Sequence, residues 1–382
     1  MCGIIGLYGD YDSNKFISAL DKLKHRGVDD IGHYFNAENN IALGHTRLSI
    51  LDTSSLGHQP MLSSDEKVIL TFNGEVFNFR ELRNDLESKG YEFIGNSDTE
   101  VLLNLYLSEG IKMLTKINGI YAFALMDLRS KELFLARDAL GVKPLYFSNN
   151  GNNFAFSSEI KAIIDLIPND KKIDAKSIEL YLSFLSCYGD GTPIESIKKI
   201  LPGEVIKVKD GEIKEKWNWY KLPIHNKKNS LNKIENISGV ENCLRQAVHR
   251  QMISDVPLGA FLSGGLDSSS IVTFAKEINP EIKCFSIQTL GKQDKGFIDD
   301  LPYAKQVAKH LNVSLDVVSI ESSKMANDLE EMIIQLDEPI ADPAALNVLY
   351  ISRLAREQGI KVLLSGVGGD DLFTGYGRHT AA

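Results

Sequence analysis

The sequence predicts two domains of different fold class, an α+β sandwich followed by an incomplete α/β domain built on a parallel sheet. A chain of 382 residues is too long for one ordinary hydrophobic core. In its first part, runs of strands are separated by a few helices without strict alternation, whereas strands and helices alternate after residue 236. We therefore assign residues 1–220 to the first domain (core about 2–170), the polar stretch 221–236 to a linker, and 237–382 to the second domain.

Composition excludes several classes of protein. The chain is 43% hydrophobic and 24% charged, which is typical of a globular domain, and its net charge of −9 argues against a nucleic-acid partner. It has no apolar run long enough to span a membrane and no secretory signal. The cysteines lie far apart and lack metal-ligand spacing, so we expect reduced thiols and a cytoplasmic location. The sequence permits a homodimer without specifying one.

The elements of the first domain follow from local patterns. Asn14 is predicted to cap a helix that runs through Lys24 and stops at Gly27. Further helices are expected at Asn78–Lys89 and, capped by Ser97 or Asp98, at Thr99–Glu109. Runs rich in branched and aromatic residues predict the strands Ile41–Leu51, Lys67–Phe72, Tyr121–Asp127, Glu132–Arg137 and Asn153–Phe156. The order favours packed antiparallel sheets with helices outside.

The N-terminus, Met1-Cys2-Gly3, is the first candidate for chemistry. Removal of the initiator methionine would leave Cys2 with a thiol and a free α-amine on one residue. An α-amine has a pKa of about 7.7–8.0 and a thiol a pKa of about 8.5, so the amine can accept the thiol proton. The alternative is a small buried hydrophobic residue that opens a strand.

Three polar positions offer substrate contacts. Arg47 carries a planar guanidinium that suits a carboxylate, although it could equally be a surface arginine. Asn73-Gly74 is either a type I′ hairpin turn or a pair of hydrogen-bond donors for an oxyanion, each worth about 3–4 kcal/mol of barrier. Asp98 is either a helix cap or a ligand for a substrate ammonium.

In the second domain, two predicted strands end in glycine-rich loops. After Leu258–Leu262 comes Ser263-Gly264-Gly265-Leu266-Asp267-Ser268-Ser269, and after Lys361–Leu364 comes Ser365-Gly366-Val367-Gly368-Gly369-Asp370-Asp371. Glycines let the backbone approach a ligand, and a helix N-terminus attracts anions. The carboxylates suit Mg²⁺, while a bare structural turn is the alternative for the first loop. The two remaining strands are predicted at Lys283–Thr289 and Ser314–Ile320.

The motifs together resemble one family. Met1-Cys2-Gly3-Ile4, Arg47-Leu48-Ser49-Ile50, Asn73-Gly74-Glu75 and Ser97-Asp98 are similar to the glutaminase domain of N-terminal-nucleophile amidotransferases, an αββα sandwich. Gly141-Val142-Lys143-Pro144 and Ser158-Glu159-Ile160-Lys161 extend the resemblance to glutamine-dependent asparagine synthetases. It implies that Cys2 attacks L-glutamine and that Asn73 and Gly74 stabilise the oxyanion. Glutamine would be bound by Arg47, Leu48, Ser49, Ile50, Leu51, Asn73, Gly74, Glu75 and Asp98.

The resemblance also implies an ATP site in the second domain. ATP would contact Phe261, Ser263, Gly264, Gly265, Asp267, Ser268, Ile287, Ser365 and Gly366, and Mg²⁺ would bind Asp267 and Asp370. The expected reaction adenylates the side-chain carboxylate of L-aspartate, releases AMP and pyrophosphate, and adds ammonia.

Two departures from the family pattern keep alternatives open. Val367 stands where well-studied asparagine synthetases carry a glutamate, so the acceptor could be another carboxylic acid, such as a sugar acid. The chain also stops at Ala382, where the family continues with a helical region, which suggests a fragment. In that case a glutaminase could remain with only nucleotide or partner binding.

Overall fold

A computed structural model describes residues 1–151, 153–167, 171–223, 231–290, 300–342 and 344–375. The chain divides into two compact units, Met1–His225 with Leu336–Ala341, and Asn226–Gln335 with Asp342–Ala382. The short segment Leu336–Ala341 therefore belongs to the first unit although it lies late in the sequence. No helix in the described ranges combines the length and apolar character needed to cross a bilayer.

The first unit contains two six-stranded antiparallel sheets. Its strands are β1 Gly3–Tyr8, β2 Asp30–Asn36, β3 Ile41–Arg47, β4 Met61–Leu62, β5 Val68–Val76, β6 Gly119–Asp127, β7 Glu132–Arg137, β8 Tyr146–Asn149, β9 Phe154–Ser157, β10 Ile197–Lys199, β11 Glu204–Lys209 and β12 Glu212–Asn218. The strand orders are β10-β8-β9-β1-β3-β2 and β12-β11-β7-β6-β5-β4.

Alternating side chains of β1 explain why the sheets are layered between helices. Among the described residues, the α-helices of the first unit are α1 Ser13–Asp21, α2 Phe79–Ser88, α3 Asp98–Glu109, α4 Ile160–Leu166 and α5 Ala175–Phe184. Ile4 packs between the sheets with Ile69 of β5, whereas Ile5 packs on the other face against Phe16 of α1. Since both faces of β1 are covered, all six of its residues are buried. The predicted α+β sandwich is confirmed.

The helix starts differ from the sequence prediction in one place. The Asp12 carboxylate accepts from the Asn14 and Lys15 N–H groups at 2.8 and 3.2 Å, so α1 begins after Asp12 and the predicted cap at Asn14 is wrong. The helix ends at Asp21, well before Gly27. Ser97, by contrast, caps α3 as predicted by accepting from the Glu100 N–H at 3.2 Å.

The hairpin interpretation of Asn73-Gly74 is wrong. Both residues lie inside β5, which continues to Val76 and pairs with β6 along its whole length. Gly74 is needed there because a β-carbon would collide with the Ile120 carbonyl oxygen of the neighbouring strand. Strand pairing thus overrides the local turn signal.

The second unit contains a four-stranded parallel sheet of order β15-β14-β13-β16, as predicted. Its strands are β13 Leu258–Phe261, β14 Lys283–Leu290, β15 Ser314–Glu321 and β16 Val362–Leu364, and its helices are α6 Lys233–Gln251, α7 Leu266–Ile278, α8 Leu301–Leu311, α9 Ser322–Gln335, α10 Ala344–Glu357 and α11 Gly369–Phe373. Apolar clusters cover both faces, one including Val272 of α7 and the other Ile351 of α10.

The predicted linker at 221–236 differs from the structure at its end. Residues 224–230 lie outside the described residues, whereas Lys233–Asn236 form the first turn of α6. Asn232 and Glu235 make a reciprocal capping box, in which each side chain accepts from the other residue's N–H at 3.0 and 2.8 Å. This cap explains why a polar sequence is helical here.

Candidate active site

Cys2 lies at the start of β1, where its main chain and its thiol are both held. Its carbonyl oxygen accepts from Arg26 Nε at 2.9 Å, and its Sγ accepts from the Leu48 N–H at 3.4 Å. The adjoining strand is fixed by the Ile4 N–H, which donates to Ser158 Oγ at 3.0 Å. Burial raises the pKa of the Cys2 thiol, so the thiol depends on a nearby base to lose its proton.

Most of the predicted glutamine-binding residues meet in one cavity with Cys2. The cavity has a volume of about 30 Å³ and lies between the start of β1, the loop that follows β3, and β5. It is lined by Cys2, Arg47, Leu48, Ile50, Leu51, Gln59, Phe72, Gly74, Glu75, Asp98 and Thr99. Ser49 and Asn73 are not among these residues. The Ser49 N–H donates to Asp29 Oδ2 at 2.8 Å.

The strand predicted at Ile41–Leu51 ends at Arg47, and residues 48–51 form a loop. The Arg47 guanidinium organises this loop by donating to the carbonyl oxygens of Leu51, Asp52 and Ser54, the last at 2.8 Å from Nη1. Arg47 is 5% exposed, so it is not the surface arginine of the alternative interpretation. Part of its hydrogen-bonding capacity therefore shapes the cavity wall.

Asn73 and Asp98 are buried polar residues with different environments. The Asn73 side chain is fully buried, and neither of its amide atoms has a hydrogen-bond partner among the described residues. Asp98 Oδ2 accepts from the Val76 N–H at 2.8 Å. Burial raises the pKa of Asp98 to about 6, although hydrogen bonds from backbone N–H groups oppose the shift.

A charged cluster that was not predicted from the sequence lies behind Cys2 and consists of His25, Arg26, Glu159 and Lys161. Glu159 is nearly buried, and its carboxylate lies 2.9 Å from His25 Nε2, 2.8 Å from Arg26 Nη1 and 3.1 Å from Lys161 Nζ. Burial alone would raise the pKa of Glu159, but the hydrogen bonds from His25 and Arg26 outweigh it and lower the pKa to about 2. Glu159 thus orients Arg26, which in turn holds the Cys2 carbonyl.

In the second unit, the two glycine-rich loops follow β13 and β16, which are adjacent parallel strands. In the first loop, Ser263 Oγ and Ser268 Oγ are 3.0 Å apart. Gly264 has a φ of +85°, and a β-carbon on it would collide with the backbone N of Ala304, so only glycine suits this turn. Gly265 precedes α7, whose first turn carries Asp267.

The second loop brings Ser365, Gly366 and Asp370 to the same sheet edge. A β-carbon on Gly366 would lie 3.1 Å from the Asp267 Cβ, and one on Gly369 would collide with the Asp267 carboxylate. Asp267 therefore packs against the chain that leads directly into Asp370. In the described ranges, no group of three His, Cys, Asp or Glu side chains could hold a metal ion. Two carboxylates with phosphate oxygens are nevertheless a donor set that fits Mg²⁺.

The remaining predicted nucleotide contacts lie on the strands. Phe261 ends β13, and Ile287 on β14 packs with it in the apolar cluster on one face of the sheet. Val367 is 90% exposed. The segment Leu336–Ala341 belongs to the first unit, where Glu338 Oε1 accepts from the Tyr146 hydroxyl at 2.5 Å and Oε2 pairs with Lys199 Nζ at 2.7 Å.

Comparison with known families matches two separate parts of the chain. Residues 1–220 match the family model described as a glutamine amidotransferase domain, and residues 239–382 match the one described as asparagine synthase. The half-buried thiol just before β1 and the first match together define the class as the glutamine amidotransferases. Because a relative at 35% identity is matched over 76% of its length, the chain belongs to the family of glutamine-hydrolysing asparagine synthetases.

Three relatives illustrate the extent of the match. The chain is 35% identical to asparagine synthetase (glutamine-hydrolysing) 1 of Bacillus subtilis, over 98% of this chain and 59% of that protein. It is 35% identical to a putative asparagine synthetase 2 of Methanocaldococcus jannaschii, over 99% and 76% respectively. It is also 28% identical to the amidase chry2 of Gibberella zeae, over 95% of this chain and 55% of that protein. The chain thus spans about three fifths of the B. subtilis relative.

A glutamine phosphoribosylpyrophosphate amidotransferase of B. subtilis is 16% identical, with a TM-score of 0.43 over 95% of this chain and 81% of that chain.

Proposed function

We propose that the protein hydrolyses glutamine at Cys2 and uses the ammonia to amidate a carboxylic acid that ATP activates. The observation that carries the first half is the shared cavity, in which the Cys2 thiol meets Arg47, Gly74 and Asp98. An arginine suits the α-carboxylate of glutamine and an aspartate suits its α-ammonium. The second half rests on the paired loops after β13 and β16, and on the family.

The proposed reaction at Cys2 begins after removal of Met1. The α-amine of Cys2 takes the thiol proton as Sγ attacks the side-chain amide carbon of glutamine, and the amide oxygen becomes an oxyanion. Asn73 Nδ2 and the Gly74 N–H are the proposed donors to that oxyanion. The proton returns to the leaving nitrogen, the C–N bond breaks and ammonia departs. Water then hydrolyses the thioester to glutamate and regenerates the thiol.

For the second reaction, we propose that Asp267 and Asp370 hold Mg²⁺ and that Ser263, Gly264, Gly265, Ser268, Ser365 and Gly366 contact ATP. The support is that both loops meet at the carboxyl edge of adjacent parallel strands, where open α/β sheets bind ligands. ATP would supply the leaving group that a carboxylate lacks, and Mg²⁺ would offset the charge on the phosphates. Phe261 and Ile287 would face the base.

Replacement of Cys2 tests the first half. We expect Cys2→Ala to abolish glutamate and ammonia release from glutamine, while ATP binding measured by calorimetry with Mg²⁺ is unchanged. Cys243→Ala is the matched control, because Cys243 is an exposed free cysteine on α6. Full glutaminase activity in Cys2→Ala would show that another residue is the nucleophile. Intact mass of the active wild-type protein must also show that Met1 is absent.

We propose L-aspartate as the acceptor, on the strength of the family. Val367 and the amidase relatives favour a second candidate, an amide ligase for a different carboxylic acid. A panel of acids, including aspartate and sugar acids, separates the two. With ATP, Mg²⁺ and ammonium present, the largest pyrophosphate release identifies the acceptor. If a sugar acid gives that signal, the aspartate proposal is wrong.

A further inference from the structure

Lys143 is a buried cation close to the proposed nucleophile Cys2. Its side chain is 8% exposed, and Nζ lies 3.2 Å from the sulfur of Met1. Thioether sulfur is a weak acceptor, so this contact compensates little of the cost of burying the charge.

The backbone around Lys143 holds it in this position. Its N–H donates to Asp138 Oδ2 at 3.0 Å, and its carbonyl oxygen accepts from Arg137 Nε at 2.7 Å. The ammonium is therefore presented by a braced turn rather than by a mobile surface loop. Removal of Met1 takes away its sulfur contact and creates the Cys2 amine at the neighbouring backbone position.

We propose that Lys143 is an electrostatic positioning residue of the glutaminase, whose ammonium keeps the Cys2 amine in the neutral form that accepts the thiol proton. This inference rests on the proposed glutaminase activity and adds a residue to it. The physical reason is that a positive charge at short range opposes a second positive charge on the amine. The same charge favours the thiolate that forms when the proton leaves.

Burial has the largest influence on the pKa of the terminal amine at this position, and the surrounding charges act in both directions. Burial lowers the pKa of the Met1 amine to about 6, with help from Arg26 and Lys143 and against the influence of Cys2 and Asp29. After removal of Met1, the terminal amine is that of Cys2, which lies one residue along the chain from the Met1 amine. Burial likewise lowers the pKa of Lys143 itself. The charged and titratable groups that face Lys143 are Glu75, Cys2, Arg26 and Asp138, together with the terminal amine.

The test compares three variants of the intact chain. Lys143→Met removes the charge at nearly constant length, Lys143→Arg keeps it, and Lys112→Met removes an exposed lysine elsewhere in the unit. Glutamate formation is measured against pH at saturating glutamine, so that effects on substrate binding do not enter. Intact mass confirms Met1 removal in each protein, and thermal melting confirms folding. If Lys143→Met fails to fold, the neutral Lys143→Gln takes its place.

We expect the acid limb of the kcat profile to move up by about one pH unit in Lys143→Met, which would leave about half the activity at neutral pH. Lys143→Arg and Lys112→Met should keep the wild-type midpoint. An unchanged midpoint in folded Lys143→Met overturns the inference, and a higher KM with that unchanged midpoint assigns the lysine to substrate binding instead. Absence of glutaminase activity in the wild type would overturn the proposed function itself. That result differs from both outcomes described for Lys143→Met.

Discussion

Arg26 Nε donates to the carbonyl oxygen of Cys2 at 2.9 Å, so the main chain of the nucleophile is held by a side chain from beyond the first helix. The other end of the same guanidinium pairs with Glu159, which is 4% exposed. The position of the thiol thus depends on a carboxylate that does not contact it. We therefore expect the proposed glutaminase activity to be sensitive to substitutions behind the cavity as well as within it.

Glu159→Gln should lower kcat for glutamine about tenfold with little change in KM, because Arg26 loses its orientation while the glutamine contacts stay. It should also lower the free energy of unfolding by about 3 kcal/mol at neutral pH, since Arg26 is left buried without its counter-charge. Steady-state kinetics and denaturant unfolding measure the two effects. Glu87→Gln, in an exposed pair with Arg83, is the control and should cost less than about 1 kcal/mol.

The difference in the free energy of unfolding between the wild type and Glu159→Gln should depend on pH. The folded-state pKa of Glu159, about 2, lies below the ordinary value of 4.5 for a glutamate. Its stabilisation is therefore complete above about pH 4.5 and is lost as the pH falls towards about 2. Wild type and Glu159→Gln should converge in stability over that range. A gap that persists at the acid end would contradict the charge-based explanation.

Asn73→Ala should reduce kcat for glutamine by about 10²–10³-fold, the loss expected for one oxyanion donor. The melting temperature should stay the same or rise, because both amide atoms of Asn73 are buried and have no hydrogen-bond partner among the described residues. Asn73→Asp, which keeps the size but cannot donate when ionised, should lose activity to a similar degree. If the alanine variant instead melts much earlier and keeps its kcat, Asn73 has a structural role.

Gly57→Ala should raise the KM for glutamine about tenfold. A β-carbon on Gly57 would collide with Arg47 Nη2 and displace the guanidinium proposed to hold the substrate carboxylate. The control is Gly239→Ala inside α6, where the β-carbon meets open space and should stabilise the helix by about 0.5–1 kcal/mol. Initial-rate kinetics on both variants check this prediction. An unchanged KM in Gly57→Ala would argue against Arg47 as the carboxylate ligand.

The KM for glutamine should rise as the pH falls below about 6, by about tenfold per pH unit. The reason is that Asp98, whose pKa burial raises to about 6, must be ionised to hold the substrate ammonium. Asp98→Asn should show a high KM that no longer varies in this range, whereas Asp85→Asn, on the exposed face of α2, should follow the wild type. A flat wild-type KM across this range would remove Asp98 from glutamine binding.

Local patterns predicted β3, β5, β6, β7 and β9 of the first unit because branched and aromatic runs such as Leu133–Ala136 are buried on both faces. They failed at Asn73-Gly74, where the same dipeptide that favours a turn is held straight by its pairing with β6. The Arg26–Glu159 pair was not assigned because its members are 133 positions apart and each is ordinary in its own surroundings. The cytoplasmic location and the homodimer stay predictions.

The assignment of Leu336–Ala341 to the first unit has a consequence for synthesis on the ribosome. The Asp337 carboxylate accepts from the first N–H groups of α4, and Glu338 pairs with Lys199, so these contacts form only after the chain has grown past residue 341. At typical translation rates, roughly ten seconds separate the emergence of His225 from that of Ala341. A nascent chain therefore carries an unfinished first unit through that interval, and a gene cut after His225 would leave that unit unfinished permanently.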